Sequence, residues 1–311
     1  MRGILIKNIL HHSGENSMKH LLTGSNIWAV LGILGALCLI GVFLWRENNI
    51  IGLTQQEFVS RDLPEGFDGY RILHISDLHN KSFGTGQEKL LKICADVSPD
   101  LIVITGDLID KRRTRLGDFD PALNLANGAA RIAPTFFVCG NHEITAGYYD
   151  RFRLELMECG VAVLDDETVE LHRGDDVITL AGIQNVNVFS DVRKEGKAAE
   201  ESFRVRLREL SSQVKTPFSI LLSHRPDLFE WYLDAGFSLT FCGHAHGGQV
   251  RIPGLGGVLA PNQGFFGKYT AGLHVKSGRG MNISRGLGNS GFPIRLFNRP
   301  EVVLVTLRRE K

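Results

Sequence analysis

The 311-residue chain has almost no excess of charge, with 35 lysines and arginines against 34 aspartates and glutamates, a formal net charge of +1. Proteins that collect nucleic-acid phosphates need a basic field, and none is available here, so no nucleic-acid partner is expected. Five cysteines are present, and no two of them stand as C-x-x-C. Cys38 lies in an apolar run, and Cys139 and Cys242 end strand-like stretches. An odd number in such contexts argues for free thiols rather than a disulfide framework. Internal repeats and low-complexity segments are also missing. With 43% hydrophobic and 22% charged residues, the chain has the composition of a folded globular protein of one large or two small domains.

Charge is missing in one further place. Ile27 to Trp45 is apolar without a single charged residue, and about 20 such residues in a helix span the roughly 30 Å hydrocarbon core of a bilayer. Trp28 and Trp45 stand at its ends, where indole rings favour the headgroup region. A buried core helix normally keeps one polar face. A cleaved signal peptide has a shorter apolar region, about 7–15 residues, that closes on a small-x-small site. This run is longer and closes on Phe43-Leu44-Trp45-Arg46, so residues 27–45 read as a permanent single-pass membrane helix after a short segment, 1–26. Arg2, Lys7 and Lys19 precede it, and Arg46 and Arg61 follow. The bias is toward a cytoplasmic N-terminus and an extracytoplasmic main domain. No pair of adjacent arginines ahead of the helix strengthens that orientation.

Residues 46–69 are polar and without period, and read as a linker. Residues 70–311 read as one domain. Strands are expected at Tyr70–Ile75, Leu101–Thr105, Thr135–Val138, Val161–Leu164, Val169–His172, Val177–Ala181, Phe218–Leu222, Leu239–Phe241 and Val302–Thr306. Helices are expected at Gln87–Val97, Pro121–Ile132, Tyr148–Cys159 and Lys197–Ser211. Gly243 to Arg299 is rich in glycine. Continuously apolar strands alternating with helices imply a sheet buried on both faces, and the later run of strands implies a second sheet packed on the first. The fold class is α/β, a two-sheet sandwich flanked by helices. The charged stretch Asp191–Glu201 reads as a solvated loop and helix start.

Five polar clusters each follow a short apolar strand: Asp77-Leu78-His79, Gly106-Asp107, Gly140-Asn141-His142-Glu143, Ser223-His224 and Gly243-His244-Ala245-His246. Ligands of open α/β sheets bind in the crevice beyond the carboxyl ends of the strands. Five strand ends would therefore deliver carboxylates, an amide and imidazoles to one locality. Imidazole and oxygen donors without thiolate suit borderline divalent ions such as Mn, Fe, Zn or Co. Seven donors are too many for one catalytic ion that keeps an open position. They suffice for two ions bridged by one carboxylate, the arrangement that clamps both oxygens of a displacement at phosphorus.

In this order and spacing the blocks D-x-H, G-D, G-N-H-[DE], H and G-H-x-H resemble the calcineurin-like metallophosphoesterase superfamily, across essentially all of residues 70–311. The resemblance implies a four-layer fold and two divalent ions (Mn, Zn or Fe). It implies Asp77, His79 and His246 on one ion, Asn141, His224 and His244 on the other, and Asp107 bridging both. His142 is implied as the histidine that stabilises the transition state or protonates the leaving oxygen, a role suited to a group titrating near neutrality. The implied activity is hydrolysis of a phosphoester by metal-activated hydroxide. The segments Gly247–Pro253, Ala260–Gly264 and Ser284–Gly288 resemble small bacterial membrane-associated phosphodiesterases, which favours a diester, possession of an anchor being compatible with a lipid-linked or cell-envelope substrate. One alternative is pyrophosphate cleavage of the UDP-2,3-diacylglucosamine type. Another is a non-catalytic scaffold, which should show broken blocks, and none is broken.

Other residues carry weaker readings. Arg285, in a glycine-flanked turn, could contact a substrate phosphate through its guanidinium, with turn stabilisation an equal alternative. Glu143 reads as structural rather than as a ligand. His74, His172 and His274 read as structural, and His11, His12 and His20 as outside the chemistry. Phe265-Phe266 could form an apolar rim for a lipid substrate or the bilayer, although ordinary loop packing is the stronger expectation.

Overall fold

The computed structural model describes residues 24–186, 196–289 and 291–311. Arg2, Lys7 and Lys19, on which the expected orientation rests, lie outside these residues, as do His11, His12, His20 and positions 191–195 of the charged stretch. The chain divides into two units after Arg46. Helix α1 covers Gly24–Asn49, and its Ile27–Asn49 portion is long and apolar enough to cross a membrane.

From Glu47 onward the elements are β1 (Gly52–Ser60), β2 (Arg71–Ile75), α2 (Glu88–Asp96), β3 (Leu101–Ile104), α3 (Asp120–Ile132), β4 (Thr135–Phe137), α4 (Asn141–Thr145), α5 (Tyr149–Glu158) and β5 (Ala162–Val163). They continue with β6 (Glu167–Arg173), β7 (Asp176–Gly182), α6 (Gly196–Ser212), β8 (Ser219–Leu222), α7 (Phe229–Ala235) and β9 (Leu239–Cys242). The glycine-rich third folds as short strands: β10 (Arg251–Ile252), β11 (Gly256–Gly257), β12 (Leu259–Ala260), β13 (Gly264–Phe265), β14 (Gly272–Lys276) and β15 (Arg279–Ile283). Strand β16 (Glu301–Arg309) follows.

Two six-stranded sheets result, in the orders β1-β16-β2-β3-β4-β5 and β14-β15-β9-β8-β7-β6. Strands β2 to β5 run parallel, as do β7, β8, β9 and β15. Parallel neighbours need crossover connections, which α2, α3, α5, α6 and α7 supply. The period of two along each strand explains why these strands are apolar throughout. In β2, Leu73 and Ile75 pack on the cluster that contains Leu90 of α2, Leu125 of α3 and Phe152 of α5. Ile72 faces the other way and meets Ile178, Ile220 and Phe241 of the second sheet. On the far side of that sheet, Ala181, Leu221 and Met281 pack on Phe203 and Leu207 of α6 and Tyr232 of α7. The domain is thus helix, sheet, sheet, helix in four layers.

The expected linker 46–69 is corrected by this topology. Strand β1 pairs in parallel with β16 over its whole length, from Gly52 opposite Glu301 to Ser60 opposite Arg309. Phe58, Leu63 and Phe67 are buried in the core between the sheets. The segment is the edge strand and a lining of the domain.

Candidate metal centre

The parallel strands of both sheets end on the same crevice, and the five polar clusters sit in the loops that leave them. Asp77 lies two residues past β2, Asp107 three past β3, Asn141 opens α4 after β4, and His224 and His244 lie two past β8 and β9. Asp77, His79, Asp107, His244 and His246 all have positive φ, between 49° and 65°. For residues with a Cβ this left-handed region costs of order 1–3 kcal/mol each and persists where the surroundings over-determine it, most often at functional sites. Two glycines make the crowding possible. A Cβ on Gly106 (φ 84°) would collide with the backbone of Gly140, and one on Gly140 would collide with the Asp107 carboxylate. The loops after β3 and β4 can therefore touch only with glycine at both places.

Glu143 locks this contact. Its buried carboxylate accepts the N–H groups of Asp107 (2.8 Å), Gly140 (2.8 Å) and Ile109 (3.2 Å), a structural task in agreement with its sequence reading. The His142 N–H donates to Asp107 Oδ1 (2.8 Å), and the His244 N–H donates to the Asp77 carboxylate (3.0 Å).

The side chains converge in two groups that share Asp107. One atom each from Asp77, His79, Asp107 and His246 lie within 4.8 Å of one another, and so do one each from Asp107, His224 and His244. His79 Nε2 and His246 Nε2 face each other at 3.1 Å, and His244 Nδ1 faces His224 Nε2 at 3.2 Å. Imidazoles are neutral when they ligate metals, and the partner of one ring nitrogen decides which lone pair is presented. His224 Nδ1 contacts the Thr105 carbonyl (2.6 Å), which requires a proton there and leaves Nε2 aimed at Asp107 Oδ2, 3.3 Å away. His244 Nε2 contacts Asn262 Oδ1 (2.8 Å), which leaves Nδ1 for the shared locus. Asn141 Oδ1 is buried with no hydrogen-bond partner, an uncompensated acceptor of the kind that a cation satisfies.

The electrostatics fit the same conclusion. Burial, aided by the neighbouring Asp107 charge, pushes Asp77 up to about 6. Burial also opposes ionisation of Asp107, but His224, His142 and His79 hold it well below the usual carboxylate range. Burial drives His79 down to about 3 and His244 down to about 4, so both present neutral nitrogens. Burial opposes the charge of His224, but Asp107 beside it and the Thr105 carbonyl push it up to about 9, a proton that a cation bound at Nε2 would replace. Two buried carboxylates among these imidazoles form a donor set for divalent cations of intermediate softness, and the residues present fit two such ions.

A third convergence involves His79, Asp110 and His142, in which the Asp110 carboxylate stands beside both rings. The Lys111 N–H donates to His142 Nδ1 (3.1 Å). Asp110 lies 3.7 Å from His142 Nδ1 and 3.8 Å from His79 Nδ1, and is itself held by Arg113 and by the Arg112 N–H (2.9 Å). Burial opposes the charge of Asp110, yet these donors keep it ionised.

A cleft of about 650 Å³ opens over the centre, lined by Asp107, Asn141, His142, His244, His246, Arg112, Asn262, Phe292 and neighbouring loop residues. The fold brings together all seven expected ligands and His142. It directs Arg285 elsewhere: its guanidinium pairs with Glu301 (2.6 Å), whose carboxylate also accepts the Arg285 N–H (2.9 Å), and it is not among the residues lining the cleft. Arg112, Asp110 and Asn262 escaped the sequence reading. Asp110 had a signal, an acid three residues after Asp107 in the same strand-end loop. Asn262 lies in the Ala260–Gly264 segment already singled out, with no signal for that residue itself, and Arg112 had none beyond its loop. His74 is a structural residue, as read: its ring bonds Thr105 Oγ1 (2.8 Å) inside the core.

The family model of the calcineurin-like phosphoesterases matches residues 70–248. The chain is 30% identical over 274 residues to the uncharacterized metallophosphoesterase YkuE of Bacillus subtilis, covering 86% of this chain and 89% of that one. It is 28% identical to the phosphodiesterase YaeI of Escherichia coli, over 76% of this chain and 82% of that one. It is also 28% identical to a transmembrane protein with metallophosphoesterase domain of Danio rerio, over 79% of this chain and 55% of that one.

Proposed function

The chain belongs to the calcineurin-like phosphoesterase family, and on that premise we propose that it is a membrane-anchored, dinuclear-metal phosphodiesterase with its domain on the extracytoplasmic side. Metal-dependent hydrolysis of phosphoester bonds comes with the family. Supporting the dinuclear reading is one observation above the others: two convergent donor groups have a single buried carboxylate, Asp107, in common. In this reading Asp77, His79 and His246 hold one ion, Asn141, His224 and His244 hold the other, and Asp107 holds both. Two divalent ions (Mn, Zn or Fe) bound there supply Lewis-acid stabilisation of phosphoryl charge and lower the pKa of water.

The protein's own groups do the rest. With Nδ1 accepting the Lys111 N–H, neutral His142 carries its proton on Nε2 and can hydrogen-bond the oxygen that leaves phosphorus, stabilising the charge that develops there. Burial lowers the His142 pKa while Asp107 and Asp110 raise it, and the net lowering favours this neutral ring with its proton on Nε2. Arg112, on the cleft wall, takes the phosphate-binding role first considered for Arg285, because a guanidinium matches phosphoryl oxygens in a two-point contact. Similarity to a phosphodiesterase and the apolar helix Ile27–Asn49 support the diester and anchor parts of the reading. The test is hydrolysis of bis(p-nitrophenyl) phosphate against p-nitrophenyl phosphate by the full chain, metal-stripped and then supplied with Mn or Zn. Faster metal-dependent cleavage of the diester is expected. Faster cleavage of the monoester would make the protein a monoesterase.

A further inference from the structure

The mouth of the cleft is built on Glu47 and Asn48, in the last turn of α1 and just past the uncharged stretch that closes at Trp45. Only Arg46 separates Trp45 from Glu47. Glu47 accepts the Asn298 N–H (3.1 Å) and Arg299 Nε (2.7 Å), and Asn298 Nδ2 donates to the carbonyl of His246 (2.7 Å), a member of the metal centre. Asn48 Oδ1 accepts the Arg295 N–H (2.9 Å) and Asn289 Nδ2 (3.1 Å). Arg113 donates to the Asn289 carbonyl, which ties the basic run Lys111-Arg112-Arg113 to the same cluster. Arg295 is fully buried and binds the carbonyls of Gly288 and Arg285, so the segment after β15 is held firmly.

This well-anchored segment and the hairpins beside it point large apolar side chains at solvent. Phe292, on the cleft wall, is 50% exposed, Ile294 40%, Leu255 70% and Phe265 74%. Their backbones form one layer: Arg251 donates to the Leu296 carbonyl, Val258 to Val250, and Phe266 to Val258. Loop packing, the stronger expectation for Phe265-Phe266, is therefore not what these rings do. Contiguous exposed apolar groups on a soluble face mark an interaction site. With Lys111, Arg112, Arg113 and Lys268 also exposed, these aromatic and aliphatic side chains have the composition of a membrane-interface element, the cations favouring anionic headgroups. Connectivity selects the occupant, because the chain enters this cluster within two residues of Trp45, at the end of the apolar stretch.

We propose that this rim seats in the headgroup region of the bilayer that holds the apolar helix, and that the substrate is an amphipathic phosphoester whose acyl part stays in the bilayer. Its phosphate then lies beside Arg112 over the metal centre. The reaction is hydrolysis: a water oxygen bonds phosphorus, the P–O bond to one alcohol breaks, and that alcohol oxygen takes the proton, with water the sole co-reactant. The inference rests on the phosphoesterase and anchor readings above, and its test separates it from them. The full chain is placed in vesicles of phosphatidylcholine and phosphatidylglycerol with brominated acyl chains. The fluorescence that F265W adds over the parent chain should be quenched, whereas that added by L154W, on exposed α5, should not. This readout needs no catalysis. In the same vesicles, kcat/KM for a dioleoylglyceryl p-nitrophenyl phosphodiester should exceed that for methyl p-nitrophenyl phosphate by at least about tenfold, as retention of acyl chains in the bilayer implies. The double variant L255S/F265S should bring that ratio close to one. Absence of quenching at position 265, or equal rates on the two esters in the parent chain, would overturn the proposal even if hydrolysis of the soluble ester were intact.

Discussion

The backbone N–H of Lys111 donates to Nδ1 of His142 across 3.1 Å, so the chain that leaves β3 decides which nitrogen of that imidazole carries the proton. A main-chain donor of this kind survives any substitution at position 111 except proline, and it fixes the proton of the neutral ring on Nε2.

From that relationship follows the first prediction. His142→Asn removes the imidazole Nε2–H but no expected metal ligand. The variant should keep its metal content while kcat falls by roughly 10²- to 10³-fold, the usual worth of one donor aimed at developing oxyanion charge. Metal analysis alongside steady-state kinetics checks it. Loss of metal in the variant would instead make His142 a ligand.

Asn262 reaches the centre from the glycine-rich third and contacts His244 Nε2 at 2.8 Å. Removing a partner that orients a ligating histidine costs roughly 10- to 100-fold in metal affinity. Asn262→Ala should therefore weaken binding at the His224–His244 side by that order, read by chelator competition, with the other ion less affected. Unchanged affinity would mean that Asn262 does not orient the ring.

Strand β1 should be indispensable to the domain. Phe58 is 1% exposed and packs between the sheets against Phe218, their ring centroids 6.2 Å apart. Phe58→Ala should destabilise the protein by about 3–5 kcal/mol, as a phenylalanine-to-alanine cavity does in other cores, measured by urea unfolding at fixed metal concentration. A neutral result would make the strand an ornament on the sheet edge.

Most of the scaffold was readable because its strands are buried on both faces. Leu101–Ile104 is apolar at every position, and no helix or loop of that length reads the same way between Asp100 and the Gly106-Asp107 turn. Strand β1 was not readable for the opposite reason: it is an edge strand whose positions through Glu57 are exposed or half-exposed, and only Phe58 and Ser60 turn fully inward. The seven expected ligands, which the fold brings together, were legible as ordered blocks at strand ends. Asn262 and Arg112 were not, because their roles arise from loops whose approach to the crevice depends on tertiary packing. Arg285 misled for a related reason. Its partner Glu301 is 16 residues away and buried, and nothing local in the sequence announces the pair.

Metal stoichiometry measured together with turnover tests the central claim most directly. The full chain, stripped and then saturated with Mn, should bind two ions per chain and hydrolyse bis(p-nitrophenyl) phosphate, and Asp107→Ala should lose both ions and the activity because one carboxylate serves both. Full turnover with a single bound ion, or an Asp107→Ala variant that keeps two, would contradict a dinuclear centre bridged at Asp107.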